Sequence, residues 1–291
     1  MGLKWSGQSY ICRSRRWWKG GVGVERKGAI VATLHCGSVT FENIQAVIFD
    51  KDGTLADTQG FLLRLGWQRA RLIEAQVPGV QSQLLQAFGC DRDRVLPAGL
   101  LAVGTRQDNE IAAAAYVVAT GRGWLDAVQL VQAAFRAADQ LSDRKAPQTP
   151  PIPTVLHFLQ SLAAANLRIG LVSADSPTNV QDFLDYYSLN TLIPVAYGST
   201  PALSKPAPAL LETACYALNV TPAQTLVIGD AATDTAMAHA AHAAGALEIT
   251  PDGIAVYTAT QRPTPAPSGL ISSFAEIQVM PARSLIASRG E

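Results

Sequence analysis

The sequence predicts an α/β protein in which a doubly wound, Rossmann-like parallel sheet core carries an inserted all-helical cap domain. Three observations support this prediction. Apolar runs rich in β-branched residues alternate with helical segments over residues 154–249, which indicates a parallel sheet with right-handed crossovers. A further apolar run stands alone at residues 44–49. Between the two, residues 59–140 show helical patterns only, so an insertion separates the first strand from the others.

Local patterns predict the elements in order. Residues 44–49 (IQAVIF) are apolar and end in polar turn residues, as expected of a buried strand. In the insertion, apolar residues from Leu62 onward share a helix face, and alanine-rich helices follow at 108–120 and 124–140, separated by glycines. The four prolines of residues 143–153 predict a linker. Helices are then predicted at 154–165, 178–187, 209–218 and 233–244, and strands at 168–172, 194–197, 225–228 and 246–249.

The composition indicates a folded chain without a general affinity for nucleic acid. Of 291 residues, 48% are hydrophobic and only 16% are charged, which argues against a disordered or coiled-coil protein. The 23 basic and 23 acidic residues give a net charge of zero, so the basic surplus of a nucleic-acid-binding protein is missing. Seven of the basic residues and one acidic residue fall within residues 1–30, so the remaining chain is acidic.

The same patterns divide the chain into four parts. Residues 1–43 are predicted to be a basic, disordered extension, and a natural translation start at Val31 would explain its character. Residues 44–57 and 149–255 are assigned to the α/β core, residues 58–148 to the cap, and residues 256–291 to a loose C-terminal tail with Pro263, Pro265 and Pro267.

The cysteines and the apolar segments indicate a cytoplasmic protein. Cys12, Cys36, Cys90 and Cys215 are scattered without the spacing of a metal site or a redox motif, so we expect reduced thiols. No apolar run approaches the length of a membrane span, and residues 1–30 lack the features of a secretory signal. We therefore predict a cytoplasmic location with neither a membrane nor a nucleic-acid partner.

Polar residues follow the carboxyl ends of the predicted strands, where open α/β sheets bind their ligands. The clustered carboxylates would repel one another, which calls for a divalent cation, and oxygen ligands favour Mg²⁺. A cation beside Ser173 and Lys205 would create a pocket for a phosphoryl group. The residues at these strand ends are Asp50 and Asp52, Ser173, Asp230 and Asp234, with Lys205 before the next helix.

Four stretches of the sequence, in this order, resemble the haloacid dehalogenase superfamily over roughly residues 44–250. Residues 50–55 (DKDGTL) resemble motif one of that superfamily, and Ser173 resembles the residue of its second motif. Residues 205–208 (KPAP) and the pair Asp230 and Asp234 after Gly229 resemble the remaining two. The helical insertion after motif one resembles the cap of the phosphoglycolate phosphatase-like subgroup.

The resemblance implies a role for each residue. Asp50 would be the nucleophile that forms an aspartyl-phosphate, and Asp52 would protonate the leaving oxygen and then activate water. Lys205 would neutralise charge on the nucleophile and on the phosphate. The implied Mg²⁺ ligands are Asp50, Asp52 through its backbone carbonyl, Asp230 and Asp234. The implied phosphate-binding residues are Ser173, Ala174, Lys205, Gly53 and Thr54.

Asp52 favours phosphoryl transfer over dehalogenation, because a halide leaving group needs no proton. The leading prediction is therefore a Mg²⁺-dependent phosphatase for a small phosphate ester. A phosphomutase of the β-phosphoglucomutase type would use the same core residues and stays open, as do the substrate and the oligomeric state. An aspartate-phosphorylated receiver or an inactive binding protein are the non-enzymatic alternatives.

Four further positions receive secondary interpretations. Lys51 is interpreted as only the variable position of motif one. Arg106, Arg122 and Trp124 stand near glycines between cap helices, where either a substrate-facing or an ordinary surface position is open.

Overall fold

The computed structural model describes residues 31–96, 98–250 and 265–281. The strands in this part of the chain are β1 (Ala32–Cys36), β2 (Val39–Ile44), β3 (Ala46–Phe49), β4 (Cys90–Asp91), β5 (Arg94–Val95), β6 (Arg168–Val172), β7 (Val195–Tyr197), β8 (Thr225–Gly229), β9 (Gly245–Ile249), β10 (Gly269–Ile271) and β11 (Ile277–Pro281). The α-helices are α1 (Gln59–Glu74), α2 (Gln81–Phe88), α3 (Leu100–Val103), α4 (Arg106–Val118), α5 (Trp124–Leu141), α6 (Val155–Ala164), α7 (Pro177–Tyr186), α8 (Pro208–Leu218) and α9 (Ala232–Ala240).

A six-stranded parallel sheet forms the core, in the order β10-β9-β8-β3-β6-β7. Strand β3 lies in the middle, paired with β6 on one side and β8 on the other. All four of its residues are buried, because helices and loops cover both faces of the sheet. The predicted fold class is confirmed, and its central strand is the one that delivers Asp50.

The cap is a separate helical layer with a hydrophobic core of its own. Helices α1 to α5 bury residues that include Ile73, Leu84, Phe88 and Phe135 against one another. The cap also contains a short antiparallel ladder of β4 and β5, which the helical pattern of the sequence does not predict. None of the helices in the described segments is long and apolar enough to cross a bilayer.

The two connections between cap and core run side by side. The Asp57 amide donates to the Pro150 carbonyl at 2.8 Å, and the Ile152 amide donates to the Leu55 carbonyl at 2.9 Å. The proline-rich linker predicted at residues 143–153 therefore returns the chain to the point at which it left the core. A short 3₁₀ turn, Ala146–Gln148, lies within it.

The prediction of a disordered extension through residue 43 is wrong for residues 32–43. These residues belong to β1 and β2, which pair with each other and with β11 in an antiparallel sheet of order β11-β1-β2. Ala32, Leu34 and Cys36 alternate with less buried neighbours and face the main hydrophobic core. This alternation stabilises the strand by burying one face. The part of the predicted extension before residue 31 lies outside the described residues.

The prediction of a loose tail over residues 256–291 is likewise wrong where the structure describes that region. Strand β10 extends the parallel sheet beside β9, and β11 joins the antiparallel sheet. Phe274, between them, is buried against the rings of Phe49 and Phe158, with ring centroids 5.9 and 5.1 Å apart. Residues 256–264 and 282–291 of the predicted tail fall outside the described segments.

Candidate active site

Neighbouring strands bring three carboxylates together at the carboxyl edge of the sheet. Phe49 of β3 lies opposite Ile228 of β8, so Asp50 and Asp230 emerge side by side just beyond these strands. Asp234 joins them from the first turn of α9. One oxygen from each of these three aspartates lies within 4.8 Å of the others. The sequence predicted this convergence because Asp50, Asp230 and Asp234 follow the carboxyl ends of predicted parallel strands.

Lys205 connects two of these carboxylates. Its ammonium forms an ion pair with Asp50 Oδ1 and lies 2.6 Å from Asp234 Oδ1. Its side chain is only 4% exposed, and burial opposes its charge. Asp234 and Asp50 outweigh that effect and raise the pKa of Lys205 above its usual range, so the lysine stays charged.

The carboxylates still carry more negative charge than one lysine balances. Burial, the largest cause, together with Asp234 raises the pKa of Asp50 to about 6, although Lys205 opposes this shift. Burial and the neighbouring Asp50 and Asp234 raise the pKa of Asp230 well above its usual range. Asp234 Oδ2 is buried and accepts no hydrogen bond from any described residue. A cation among these oxygens would satisfy Asp234 and relieve the repulsion, so the residues fit a metal ion.

Gly53 leaves the space that Asp230 occupies. Its φ of +81° lies in the left-handed region, and a Cβ at this position would lie 2.0 Å from Asp230 Oδ2. The buried Thr54 hydroxyl lies 3.5 Å from Asp230 Oδ1. Gly53 and Thr54 therefore lie against Asp230. Neither is among the residues that line the cavity between core and cap, which is described below.

Asp52 lies in a second cluster of charges, which we call the lysine–aspartate cluster and which consists of Lys51, Asp52, Lys145 and Asp175. The Asp52 carboxylate accepts from Lys51 at Oδ1 and from Lys145 at Oδ2, the latter at 2.8 Å. Its side chain is not among the carboxylates within 4.8 Å of one another. The role of its backbone carbonyl as a metal ligand, which the sequence resemblance implies, stays a prediction.

The charges of the lysine–aspartate cluster balance. Burial opposes the charge of Lys145, but Asp175 and Asp52 outweigh it and raise its pKa above the usual range. Burial opposes ionisation of Asp175, but Lys145 and Lys51 outweigh it and hold its pKa well below the usual range. Lys145 and Asp175 therefore stay charged in contact with each other, beside Lys51 and Asp52.

A cavity of about 510 Å³ lies between the core and the cap and opens onto both clusters. Ser173, which is buried, and Ala174 reach it from the loop after β6. The cap contributes an apolar wall and two arginines, Arg69 and Arg106. The apolar residues include Phe61, Leu62, Leu65 and Leu101.

Sequence reasoning missed three members of the lysine–aspartate cluster, of which Lys145 and Asp175 also line the cavity. Lys51, interpreted from the sequence as only the variable position of motif one, is 1% exposed and ion-paired with Asp52 and Asp175. Lys145 and Asp175 carry no motif signal, because one lies in a proline-rich linker and the other in a turn. Of the three secondary cap candidates, Arg106 lines the cavity, whereas Arg122 donates to the Gln76 carbonyl at 3.0 Å. The third, Trp124, is an exposed surface residue.

A parallel sheet with a helical cap and three carboxylates at its carboxyl edge is an arrangement typical of α/β enzymes that bind a cation. The sequence profile of haloacid dehalogenase-like hydrolases matches residues 44–242, and the chain belongs to this family. It is thus a hydrolase, and the receiver and binding-protein alternatives no longer apply. No curated protein has a sequence that matches this chain.

Solved structures share the fold at low sequence identity. A predicted phosphoglycolate phosphatase from Haemophilus somnus superposes with a TM-score of 0.58 at 19% identity, covering 82% of this chain and 97% of its own. A subfamily IA hydrolase of the same superfamily, from Geobacter sulfurreducens, superposes with a TM-score of 0.50 at 17% identity, covering 80% and 94% respectively. These similarities confirm the core with its helical cap.

Proposed function

We propose that this hydrolase is a Mg²⁺-dependent phosphatase that cleaves a small phosphate monoester through an aspartyl-phosphate on Asp50. One observation carries the proposal. Asp50, held by Lys205 beside two further carboxylates, shares a cavity with a second acid, Asp52, two residues along the chain. A nucleophile and a separate acid are both needed to expel an alkoxide, whereas a halide leaves without a proton.

The chain's own residues divide the reaction between them. An oxygen of Asp50 forms a bond to phosphorus while the bond from phosphorus to the leaving oxygen breaks, and the carboxyl group of Asp52 supplies the proton that this oxygen takes up. A water molecule then gives its proton to Asp52 and attacks phosphorus, and the bond to Asp50 breaks to release phosphate. Asp52 thus acts first as an acid and then as a base.

The remaining residues bind and orient the phosphoryl group. Ser173 and Ala174 line the cavity, where the Ser173 hydroxyl and the Ala174 amide would donate to the phosphoryl oxygens. Lys205 would balance the negative charge that shifts between the phosphate and Asp50 during transfer. Mg²⁺ held by Asp50, Asp230, Asp234 and the Asp52 carbonyl would supply further positive charge to the phosphoryl oxygens. The apolar cap wall would contact the non-phosphate part of the substrate.

The direct test is phosphate release from a panel of phosphorylated metabolites with Mg²⁺. We expect Asp50→Asn to lower turnover by at least about 10³-fold, because it removes the nucleophile. A matched control is Asp185→Asn, an exposed position on α7 outside the cavity, which should retain turnover within about twofold. Chelation of Mg²⁺ should abolish activity in both the native chain and the control.

Two results would contradict the proposal. Undiminished turnover in Asp50→Asn would exclude the aspartyl-phosphate. Isomerisation of a sugar phosphate without phosphate release would show that the phosphoryl group is transferred to a sugar hydroxyl and not to water. The enzyme would then be a phosphomutase.

A further inference from the structure

We propose that Lys145, in the linker between cap and core, is a positioning residue for Asp52, and that Asp175 anchors it. This inference rests on the proposed function, since it concerns the acid that expels the leaving group. It assigns a role in catalysis to two residues that belong to none of the four sequence motifs. The argument starts from the contacts of the Asp52 carboxylate.

Among the described residues, two lysines are the only side chains that donate to Asp52. Lys145 Nζ lies 2.8 Å from Asp52 Oδ2, and Lys51 contacts Oδ1. Each oxygen of this carboxylate is thus held by a different ammonium group. The orientation of the Asp52 carboxyl plane therefore depends on where these two lysines are fixed.

Asp175 fixes both lysines. Its Oδ2 lies 2.6 Å from Lys145 Nζ and 3.1 Å from Lys51 Nζ. Its Oδ1 accepts from the Ser176 amide and from the Asn179 side chain, both at 2.8 Å. Because every oxygen of Asp175 is engaged, the carboxylate has one defined position at the start of α7.

The anchor belongs to the loop that would bind the phosphoryl group. The Asp175 amide donates to Ser173 Oγ at 3.1 Å, and the Asp175 carbonyl accepts from the Ser199 amide at 2.7 Å. Contacts therefore run from the phosphate-binding loop through Asp175 and Lys145 to Asp52. Through these contacts, the position of the Asp52 carboxyl group depends on the loop that would bind the phosphoryl group, and not only on strand β3, which Asp52 follows.

Of the two lysines that contact Asp52, Lys145 is the one that faces the cavity and the cap. Lys51 is 1% exposed and does not line the cavity, whereas Lys145 is 14% exposed and does. Lys145 Nζ also lies 5.7 Å from the centre of the Phe61 ring on cap helix α1. Its placement thus depends on how the cap meets the core, while that of Lys51 depends on the core alone.

The chemical consequence depends on the leaving group. Proton donation from Asp52 assists the break between phosphorus and the leaving oxygen, and it matters most when that oxygen is strongly basic. A misplaced Asp52 should therefore slow cleavage of esters with basic leaving groups and spare esters with acidic ones. A residue that merely binds phosphate or stabilises the fold would affect both kinds of ester equally.

The test compares phenyl phosphate with 4-nitrophenyl phosphate, which have similar shapes and differ in the basicity of the leaving oxygen. For Lys145→Met we expect kcat/KM to fall about 10-fold or more with phenyl phosphate and less than about 3-fold with 4-nitrophenyl phosphate. Lys145→Arg should recover most of the loss. The ratio of the two values is measured on one preparation, so a smaller folded fraction cancels.

A double-mutant cycle links the effect to Asp52. Asp52→Asn should show the same preference for the acidic leaving group, and adding Lys145→Met to it should cause no further change in the ratio. The linker control is Arg144→Met, whose native side chain pairs with Asp182 and not with Asp52. It should change both substrates by the same factor.

The outcomes separate this inference from the proposed function. Equal losses with both esters in Lys145→Met, or a further change of the ratio in the double variant, would overturn the positioning role and leave the phosphatase intact. If the native chain releases phosphate from neither ester nor from any metabolite of the panel, the proposed function is wrong and the inference falls with it.

Discussion

Asp50 experiences two opposing influences in the folded chain. Burial disfavours its charge, and the adjacent Lys205 favours it. The balance raises its pKa to about 6, which favours the protonated form of this residue in the absence of a cation. Under the proposed function, a cation bound at this cluster would stabilise the ionised form of Asp50 and so favour its attack on phosphorus.

The raised pKa of Asp50 predicts how stability depends on pH in the metal-free protein. The folded state binds this proton more tightly than the unfolded chain, in which the pKa is near 3.8. The stabilisation is complete below about pH 4 and is lost as the pH rises through about 6. We expect this group to lower the free energy of unfolding by about 3 kcal/mol at most over that range.

Urea denaturation between pH 4 and pH 7, with chelator present, measures this effect. The native chain should lose stability relative to Asp50→Asn as the pH rises, because the asparagine does not ionise. Excess Mg²⁺ should remove the difference in slope. Parallel stability curves for the two proteins would show that Asp50 ionises normally in the folded state.

At the scale of elements, the first turn of cap helix α4 offers a simple stability test. Thr105 Oγ1 accepts from the Asp108 amide at 3.2 Å, and Asp108 Oδ2 accepts from the Thr105 amide at 2.8 Å, forming a capping box. We expect Thr105→Ala to lower the free energy of unfolding by about 1 kcal/mol, as measured by urea denaturation. Thr213→Ala, inside α8, removes a threonine without a cap and should cost less than about 0.5 kcal/mol.

The elements that sequence patterns predicted are those whose signal is local. The strands around β3, β6 and β8 are short apolar runs buried on both faces, and each ends within about two residues of its predicted end. The sequence could also predict that Asp50, Ser173 and Asp230 lie at one edge of the sheet, because the carboxyl ends of parallel strands meet there. Lys205 was predicted at the same edge because it stands between a strand and the next helix.

The elements that were missed are short strands, and one of their pairings, between β1 and β11, joins distant parts of the chain. Strand β1 alternates buried and less buried residues, a signal that is present but short, and its partner β11 lies near the other end of the chain. Strand β1 also forms a hairpin with β2 across the turn at residues 37–38, which the sequence patterns did not predict, and its five residues give no indication of the distant partner β11. Lys145 was missed for a similar reason, since only the fold brings the linker to Asp52.

At the scale of the whole molecule, the C-terminal region is part of the hydrophobic core. Phe274 is 1% exposed and packs on Phe49, one residue before Asp50. We expect Phe274→Ala to lower the free energy of unfolding by about 3–5 kcal/mol in urea denaturation, because it leaves a cavity between the sheet and α6.

The matched control is Leu270→Ala, four residues earlier in β10. This side chain is 49% exposed, so its removal should change stability by no more than about 0.5 kcal/mol. Equal effects at the two positions would show that the region after residue 265 does not share the core.

The pairing of β1 with β11 makes this fold a candidate for circular permutation. Ala32, the first residue of β1, lies directly opposite Pro281, the last residue of β11. The chain therefore enters and leaves the described fold at a single corner of the small antiparallel sheet. A short peptide joining these two residues would close the backbone into a ring, and new ends could be opened in an exposed loop. A circular permutant of this kind would keep both sheets and the cap in place.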